Sequence, residues 1–327
     1  MKHRSFGNTG IQVSEIGLGT WQVGGRWGSS FDWDNADRIL SRAIDAGIDF
    51  IDTADVYSDG DSERAIGRFL RRSKARPFIA TKCGRQLSPH TSEAYTPAKM
   101  RSFVEASLER LGVERIDLVQ LHCPPAQVFY RPEIFETFDR LREEGKIRFL
   151  GVSVEKVEEA LKAIEFENVR SVQIIYNMLR LRPEERFLHE AQRRGVAVIV
   201  RVPLASGLLT GKYTAQTRFE PGDHRFFNRE GAAFDKGETF SGVPYEVGLD
   251  AATRLGALFP DLPLHLAALR WLLDSPHITT VIPGASSPGQ VDDNLRAVTL
   301  PALSDAQHAE VRRVYNELIR RHVHALW

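Results

Sequence analysis

Only two cysteines, Cys83 and Cys123, occur in 327 residues. Two thiols cannot staple a chain of this length, so a disulfide framework is excluded and a reducing compartment is expected. No apolar run approaches the roughly 20 residues that span a bilayer. The opening segment, Met1 to Gly10, lacks the apolar core of a secretion signal. The expected location is therefore cytoplasmic, with no membrane partner. An excess of charge is missing as well. Lys+Arg and Asp+Glu number 43 each, for a formal net charge of zero. Bulk attraction to nucleic acid is not expected. Arg312, Arg313, Arg320 and Arg321 read as a solvated helix face rather than a nucleic-acid site. No Cys/His spacing suggests a metal. Finally, no Gly-x-Gly-x-x-Gly follows the first apolar run. Gly17-Leu18-Gly19-Thr20-Trp21 has two glycines and no third in step, which weakens an open doubly wound sheet.

What the chain does have is a regular alternation of short apolar runs with amphipathic stretches. The candidate strands are Glu15–Leu18, Ile48–Ile51, Phe78–Ala80, Leu118–Leu121, Phe149–Val152, Val172–Ile175, Val196–Val200 and Thr280–Ile282. Continuous apolar runs of this length suit strands buried on both faces. Helical patterns lie between them at Asp34–Ala46, Ser62–Arg72, Thr96–Leu111, Pro132–Glu144, Val154–Ile164 and Pro183–Arg194. Thr96-Pro97 reads as an N-cap followed by proline in the first turn. Glycines 47, 112, 145 and 195 fall just past helices, where they stop them. The pattern predicts one domain over residues 1–327, an α/β chain forming a (β/α)8 TIM barrel with an N-terminal β-hairpin and an extra C-terminal helix. Gly7-Asn8-Thr9-Gly10 marks the hairpin turn, and the hairpin could cap the barrel bottom. Tyr213 to about Tyr245 is a long polar loop after the seventh strand, which places it at the C-terminal mouth.

Four residue types mark the chemistry. Asp52 and Tyr57 in D-T-A-D-V-Y, Lys82 in A-T-K-C and His122 in L-V-Q-L-H-C lie at or just after strand ends, where a barrel carries its active site. A free tyrosine, with a pKa of about 10, is a poor acid near neutrality. A neighbouring lysine favours the phenolate, Asp52 can fix that lysine, and His122 can orient a carbonyl oxygen. The combination predicts protonation of a carbonyl. Each cysteine follows one of these residues, so alternation along a strand predicts that both thiols point away from the interior and serve packing.

The chain resembles the aldo-keto reductases over nearly its whole length. The resemblance rests on F-G-N-T-G-I-Q-V-S-E-I-G-L-G-T-W, D-T-A-D-V-Y, T-K, L-H and G-V-S. It continues in Q-I-I-Y-N, V-P-L-A-S-G-L-L-T-G-K-Y and V-I-P-G-A-S-S-P-G-Q-V-D-D-N. It implies reversible hydride transfer between a nicotinamide cofactor and an aldehyde, ketone, sugar or alcohol. It further implies that Tyr57 is the proton donor, that Lys82 and Asp52 tune it, and that His122 orients the carbonyl. Trp21 would line the substrate pocket beside Tyr57 and His122. Ser153 and Gln173 would hold the carboxamide, with Gly19, Thr20 and Asp52 close by. Arg201, Pro203, Leu204, Ser206, Gly207 and Lys212 would wrap the ring and pyrophosphate. Gly284, Ser286, Gln290 and Asn294 would meet the adenosine end, where a helix N-terminus offers free N–H groups.

Three departures from the family pattern stand out. Val154 stands where an asparagine is common. Arg201 and Val202 replace a ring-stacking aromatic, and Arg201 can either stack on the ring or pair with a carboxylate or phosphate. Ser286 replaces an arginine common in users of the phosphorylated cofactor. NADP(H) is the family default, NAD(H) or dual use is open, and Arg296 could substitute for the missing arginine. Two other functions remain open: a cofactor-binding regulatory or sensor subunit, as in channel-associated relatives, and a lyase forming an imine on Lys82. Candidate pocket aromatics are Trp27, Phe31, Trp33, Tyr95, Phe129, Phe226 and Phe227, with His224, Arg225 and Asn228 as polar neighbours. The partner is expected to be a small carbonyl or sugar; the residues leave its identity and the oligomeric state open.

Overall fold

Eight short strands run parallel around one axis, and a separate hairpin covers one end. The computed structural model describes residues 1–25 and 30–327, so Trp27 lies outside the described residues. The hairpin strands are β1 (His3–Ser5) and β2 (Gln12–Ser14), paired antiparallel. The barrel strands are β3 (Leu18–Gly19), β4 (Phe50–Asp52), β5 (Phe78–Cys83), β6 (Ile116–His122), β7 (Ile147–Ser153), β8 (Val169–Ile175), β9 (Ala197–Arg201) and β10 (Thr280–Val281). They pair in chain order from β3 to β10. Parallel bridges from Ile16 to Val281 and from Gly19 to Gly284 close the ring.

The helices are α1 (Trp33–Asp45), α2 (Asp61–Arg72), α3 (Pro97–Leu111), α4 (Pro132–Glu143), α5 (Val157–Ala163) and α6 (Phe187–Arg193). Beyond β9 come α7 (His224–Phe227), α8 (Tyr245–Ala257), α9 (Leu264–Asp274), α10 (Pro288–Leu295) and α11 (Asp305–Val314). Local chemistry sets several ends. The Thr96 hydroxyl accepts from Lys99 N at 3.3 Å, Pro97 opens α3, and Gly112 closes it at φ 63°. The expected helix from Val154 begins only at Val157. There the Glu159 carboxylate turns back to accept from Lys156 N and Glu155 N, each at 3.1 Å. The expected helix from Pro183 starts as a tight turn over Arg182–Glu185 and resumes as α6. The Tyr213–Tyr245 stretch is not structureless, since it contains α7 and two short helical turns.

Alternation along the strands divides the interior into two heights. The lower half is apolar, filled by Phe50, Phe78, Leu118, Ala197, Ile199 and Ile282. Phe6 from the hairpin turn plugs it from below, with its ring centroid 5.0 Å from that of Phe78 and 6.1 Å from that of Phe50. The Asn8 N–H donates to Gly195 O at 2.8 Å and ties the turn to the start of β9. Phe6→Ala should cost about 3–5 kcal/mol, the usual range for a buried phenylalanine. Urea titration of the two chains measures the difference, and a change below about 1 kcal/mol would show that the hairpin does not seal the barrel.

The upper half is polar. Asp52, Lys82, Gln120, His122, Ser153, Gln173 and Arg201 occupy successive inward positions of β4 to β9, and all are buried. The pairing registers set Lys82 beside Gln120, His122 beside Ser153, and Ser153 beside Gln173. Gly151 makes room among them. A Cβ there would lie 2.2 Å from Ser171 Oγ and 3.2 Å from Gln120 Cγ, so this level of the barrel admits no larger residue. Among the described residues no helix is long and apolar enough to cross a membrane.

Candidate functional site

Lys82 is the hub of the upper layer. Its Nζ donates to Asp52 Oδ2 at 2.6 Å, to Thr53 O at 2.8 Å and to Tyr57 Oη at 3.1 Å. Three donations exhaust the ammonium, so its position is fully determined. Asp52 is held in turn by amides, with Gln173 Nε2 donating to its Oδ1 at 2.7 Å and Gln120 Nε2 at 3.3 Å. Tyr57 stands just past β4 on the loop into α2, half-buried. Its ring meets the His122 ring edge-on, with centroids 6.0 Å apart. The four residues expected to act together are thus one connected group at the C-terminal mouth.

Burial raises the Tyr57 pKa above its ordinary value; Lys82 pulls it down but does not win. The lysine therefore limits the rise instead of producing the net fall its proximity suggests. Tyr57 is therefore a protonated phenol at neutral pH. Burial opposes the Lys82 ammonium, yet Asp52 and Tyr57 outweigh it and the pKa rises. Burial, with Arg85, Lys82 and Arg201 facing it, holds His122 well below its ordinary value, so the ring is neutral. Asp55, two residues before Tyr57, is pushed up to about 7 by burial and by Glu63. Its two oxygens have no partner among the described residues.

A cleft of about 320 Å³ opens from Tyr57 along β8, β9 and β10 toward α10. That lies within the range of ordinary ligand pockets, and its lining runs on from Tyr57 to α10. Gly19, Thr20, Trp21, Asp52, Gln173, Arg201, Pro203, Leu204, Ser206, Gly207, Lys212, Gly284, Gln290 and Asn294 all line it. The backbone bends sharply where it does so: Val202, Ala205 and Ser206 have φ of 53°, 48° and 54°. Left-handed geometry is rare for a β-branched residue such as Val202 and is held here by its surroundings. Four expected residues, Lys82, His122, Ser153 and Ser286, stand apart from the lining. Ser153 lies under the floor, its Oγ 3.6 Å from Cys123 Sγ. Ser286 uses both its N–H and its hydroxyl to donate to Gln290 Oε1, at 2.8 and 3.1 Å. Arg296 pairs with Asp293 at 2.8 Å on the exposed side of α10.

Arg201 does not extend a flat face into the cleft. It donates to Glu155 Oε2 at 2.8 Å and Val154 O at 2.9 Å, and pairs with Glu238 at 3.3 Å. Glu238 also accepts from Arg85 Nη2 at 2.5 Å. Two guanidiniums and two carboxylates thus interlock beside His122. Burial raises Glu155, whereas Arg85 and Arg201 overcome burial and lower Glu238. Cys83 packs in the layer between barrel and helices, as alternation requires. Cys123 does not follow that rule. It sits past the end of β6 at φ 47°, which turns its sulfur into this cluster, 3.6 Å from Arg201 Nη2.

The expected aromatic lining is largely corrected. Phe31 and Trp33 pack on each other with centroids 4.9 Å apart, and Phe129 is buried in the core. Tyr95 is buried and bonded to His90 at 2.8 Å, while Phe226 is 56% exposed. Phe227 packs against Phe234. Asn228 is structural, its Oδ1 accepting from Ala233 N and Phe234 N. Beside Trp21 and Tyr57, the rings that line the cleft are Tyr213, His224 and His265. Gln22, Arg225, Glu238 and Asp293 line it too and carried no sequence signal, apart from Arg225 as a polar neighbour.

The family model described as "Aldo/keto reductase family" matches residues 15–316. An aldo-keto reductase of Bacillus subtilis, YhdN, is 33% identical over 89% of this chain and 87% of its own. An NADH-specific methylglyoxal reductase of Escherichia coli is 30% identical over 98% of this chain and all of its own. Among solved structures, the glycerol dehydrogenase AKR11B4 of Gluconobacter oxydans superposes with a TM-score of 0.78. It is 30% identical over 98% of this chain and 96% of that one.

Proposed function

The chain belongs to the aldo/keto reductase family of oxidoreductases, and from that premise we propose that it reduces a small aldehyde, ketone or sugar carbonyl reversibly, with Tyr57 as proton donor. The observation that carries this reading is the Lys82 ammonium, fixed by Asp52 and within 3.1 Å of Tyr57 Oη at the head of a cleft that runs on to α10. Gln173, Leu204, Lys212, Gly284 and Asn294 line that cleft and would hold a nicotinamide cofactor, whose chemistry would be hydride donation. The protein places and polarises the carbonyl. Tyr57 Oη gives its proton to the carbonyl oxygen, and the phenolate left behind is stabilised by Lys82. His122, neutral because of burial, orients the oxygen without competing for the proton. An imine on Lys82 is disfavoured by the same contacts, since a nucleophilic amine must be free of its counter-ion. The buried, unpaired thiols fit a reducing, cytoplasmic setting.

For the cofactor we propose efficient use of NADH alongside or in place of NADPH. Asn294, Gln290 and Gly284 would hold the adenosine end. The arginine that would grip a 2′-phosphate is a serine bonded to Gln290, Arg296 is taken by Asp293, and the Asp293 carboxylate itself lines the cleft. The NADH specificity in the name of the Escherichia coli relative points the same way. Initial rates of aldehyde reduction with NADH and NADPH test both statements. NADH is expected to serve at least as well, and Ser286→Arg to move the preference toward NADPH by about tenfold, the worth of one charge-assisted contact. A parent strongly selective for NADPH would refute the cofactor assignment; no turnover with either would refute the reaction.

A further inference from the structure

We propose that Arg85 is a specificity residue that selects carbonyl substrates carrying a second oxygen on the adjacent carbon, such as 2-hydroxy or 2-oxo aldehydes. The inference deepens the proposed carbonyl reduction and rests on it.

Arg85 stands on the loop after β5. Its Nη1 lies 3.3 Å from His122 Nε2, and its Nη2 is 2.5 Å from Glu238. A guanidinium has only N–H groups to offer, so in this arrangement His122 Nε2 accepts and the ring proton sits on Nδ1. That nitrogen is buried without a partner among the described residues. For His122 to hydrogen-bond a carbonyl oxygen, its proton must move to Nε2. Nη1 of Arg85 then faces another donor and loses its acceptor. An unsatisfied donor on a charged group, 22% exposed, is costly. A substrate oxygen one carbon from the carbonyl supplies the acceptor at that place, while its carbonyl oxygen lies between Tyr57 and His122. Arg85 and His122 each touch a residue that lines the open cleft, Arg85 through Glu238 and His122 through Tyr57.

The charge balance narrows the class further. Glu238 bridges Arg85 at 2.5 Å and Arg201 at 3.3 Å, and Glu155 pairs with Arg201 at 2.8 Å. The guanidinium charge is already met by carboxylate. A substrate carboxylate would have to displace Glu238, whereas a neutral hydroxyl or carbonyl needs only the one free N–H. The expected ligand is therefore a neutral, vicinally oxygenated carbonyl compound, not an acid.

The test compares 2-hydroxypropanal with propanal, which differ by that oxygen alone. The parent should favour 2-hydroxypropanal in kcat/KM by about tenfold or more, and Arg85→Met should collapse the ratio toward one. Arg85→Lys keeps a charge for Glu238 but not the fork, and should lose most of the preference as well. A parent without preference, or a variant in which both substrates fall in proportion, overturns the inference. A second readout does not depend on turnover. Propane-1,2-diol and propan-1-ol are titrated calorimetrically into the protein loaded with NADH, where no hydride can move. Tighter binding of the diol, lost in the variants, supports Arg85 as the contact; equal affinities overturn it. Absence of reduction with every carbonyl would instead refute the enzymatic reading, leaving the diol comparison to decide the contact.

Discussion

Tyr57→Phe should lower turnover by about 10²–10⁴-fold, the usual worth of a positioned general acid. The substitution removes one oxygen and keeps the ring, so the shape of the cleft near Trp21 is retained; their ring centroids are 6.4 Å apart. Cofactor affinity, followed by quenching of tryptophan fluorescence, should stay close to that of the parent. The loss should appear in kcat and in kcat/KM alike, because the missing proton transfer belongs to the transition state. Turnover retained at the parent rate would remove Tyr57 from the mechanism and shift the proton donor to another group.

The second large effect is expected at Lys82. Lys82→Met leaves Asp52 buried without its cation. Breaking such a pair costs about 3–5 kcal/mol in stability. The lower end applies here, because Gln120 and Gln173 still donate to the other carboxylate oxygen. Turnover should fall with it, since the phenolate formed at Tyr57 loses its counter-charge. Adding Asp52→Asn to the same chain separates the two consequences. The orphan charge disappears, so urea stability should recover much of its loss while turnover does not. Recovery of both would mean that Lys82 acts only as the partner of Asp52. Recovery of neither would mean that the stability loss comes from packing around the lysine chain.

These four residues were legible because their placement needs only local rules. Each closes or follows an apolar run, and alternation sends Asp52, Lys82 and His122 to the same side of their strands. The hairpin followed from one turn signal, and the helix stops from glycines. The cofactor segments were legible through resemblance; spacing alone would have left them as turns. What escaped was decided at long range. Glu238 reaches Arg85 across 153 positions of chain, and nothing near it in sequence marks it. Gln22 and His265 line the cleft without any signal in the periodicity, whereas His224 and Arg225 were expected there from the long segment placed at the mouth. Cys123 broke the alternation rule through a single left-handed residue at a strand end. The aromatic residues chosen for the pocket were mostly claimed by the hydrophobic core, where large rings are worth most.

The division of the barrel into two heights has a consequence for how such a protein can change. The residues that keep the barrel closed, Phe6, Phe50, Phe78 and their neighbours, sit below the layer that carries Asp52, Lys82 and His122. The segments that reach over the site, around Arg85 and Glu238, belong to neither layer. On the proposed reading, substrate range would vary through those segments, while the rings around Phe6 keep the barrel closed from below. The plug and the polar layer thus lie on alternate positions of the same strands, and the residues that would choose the substrate come from the loops between them.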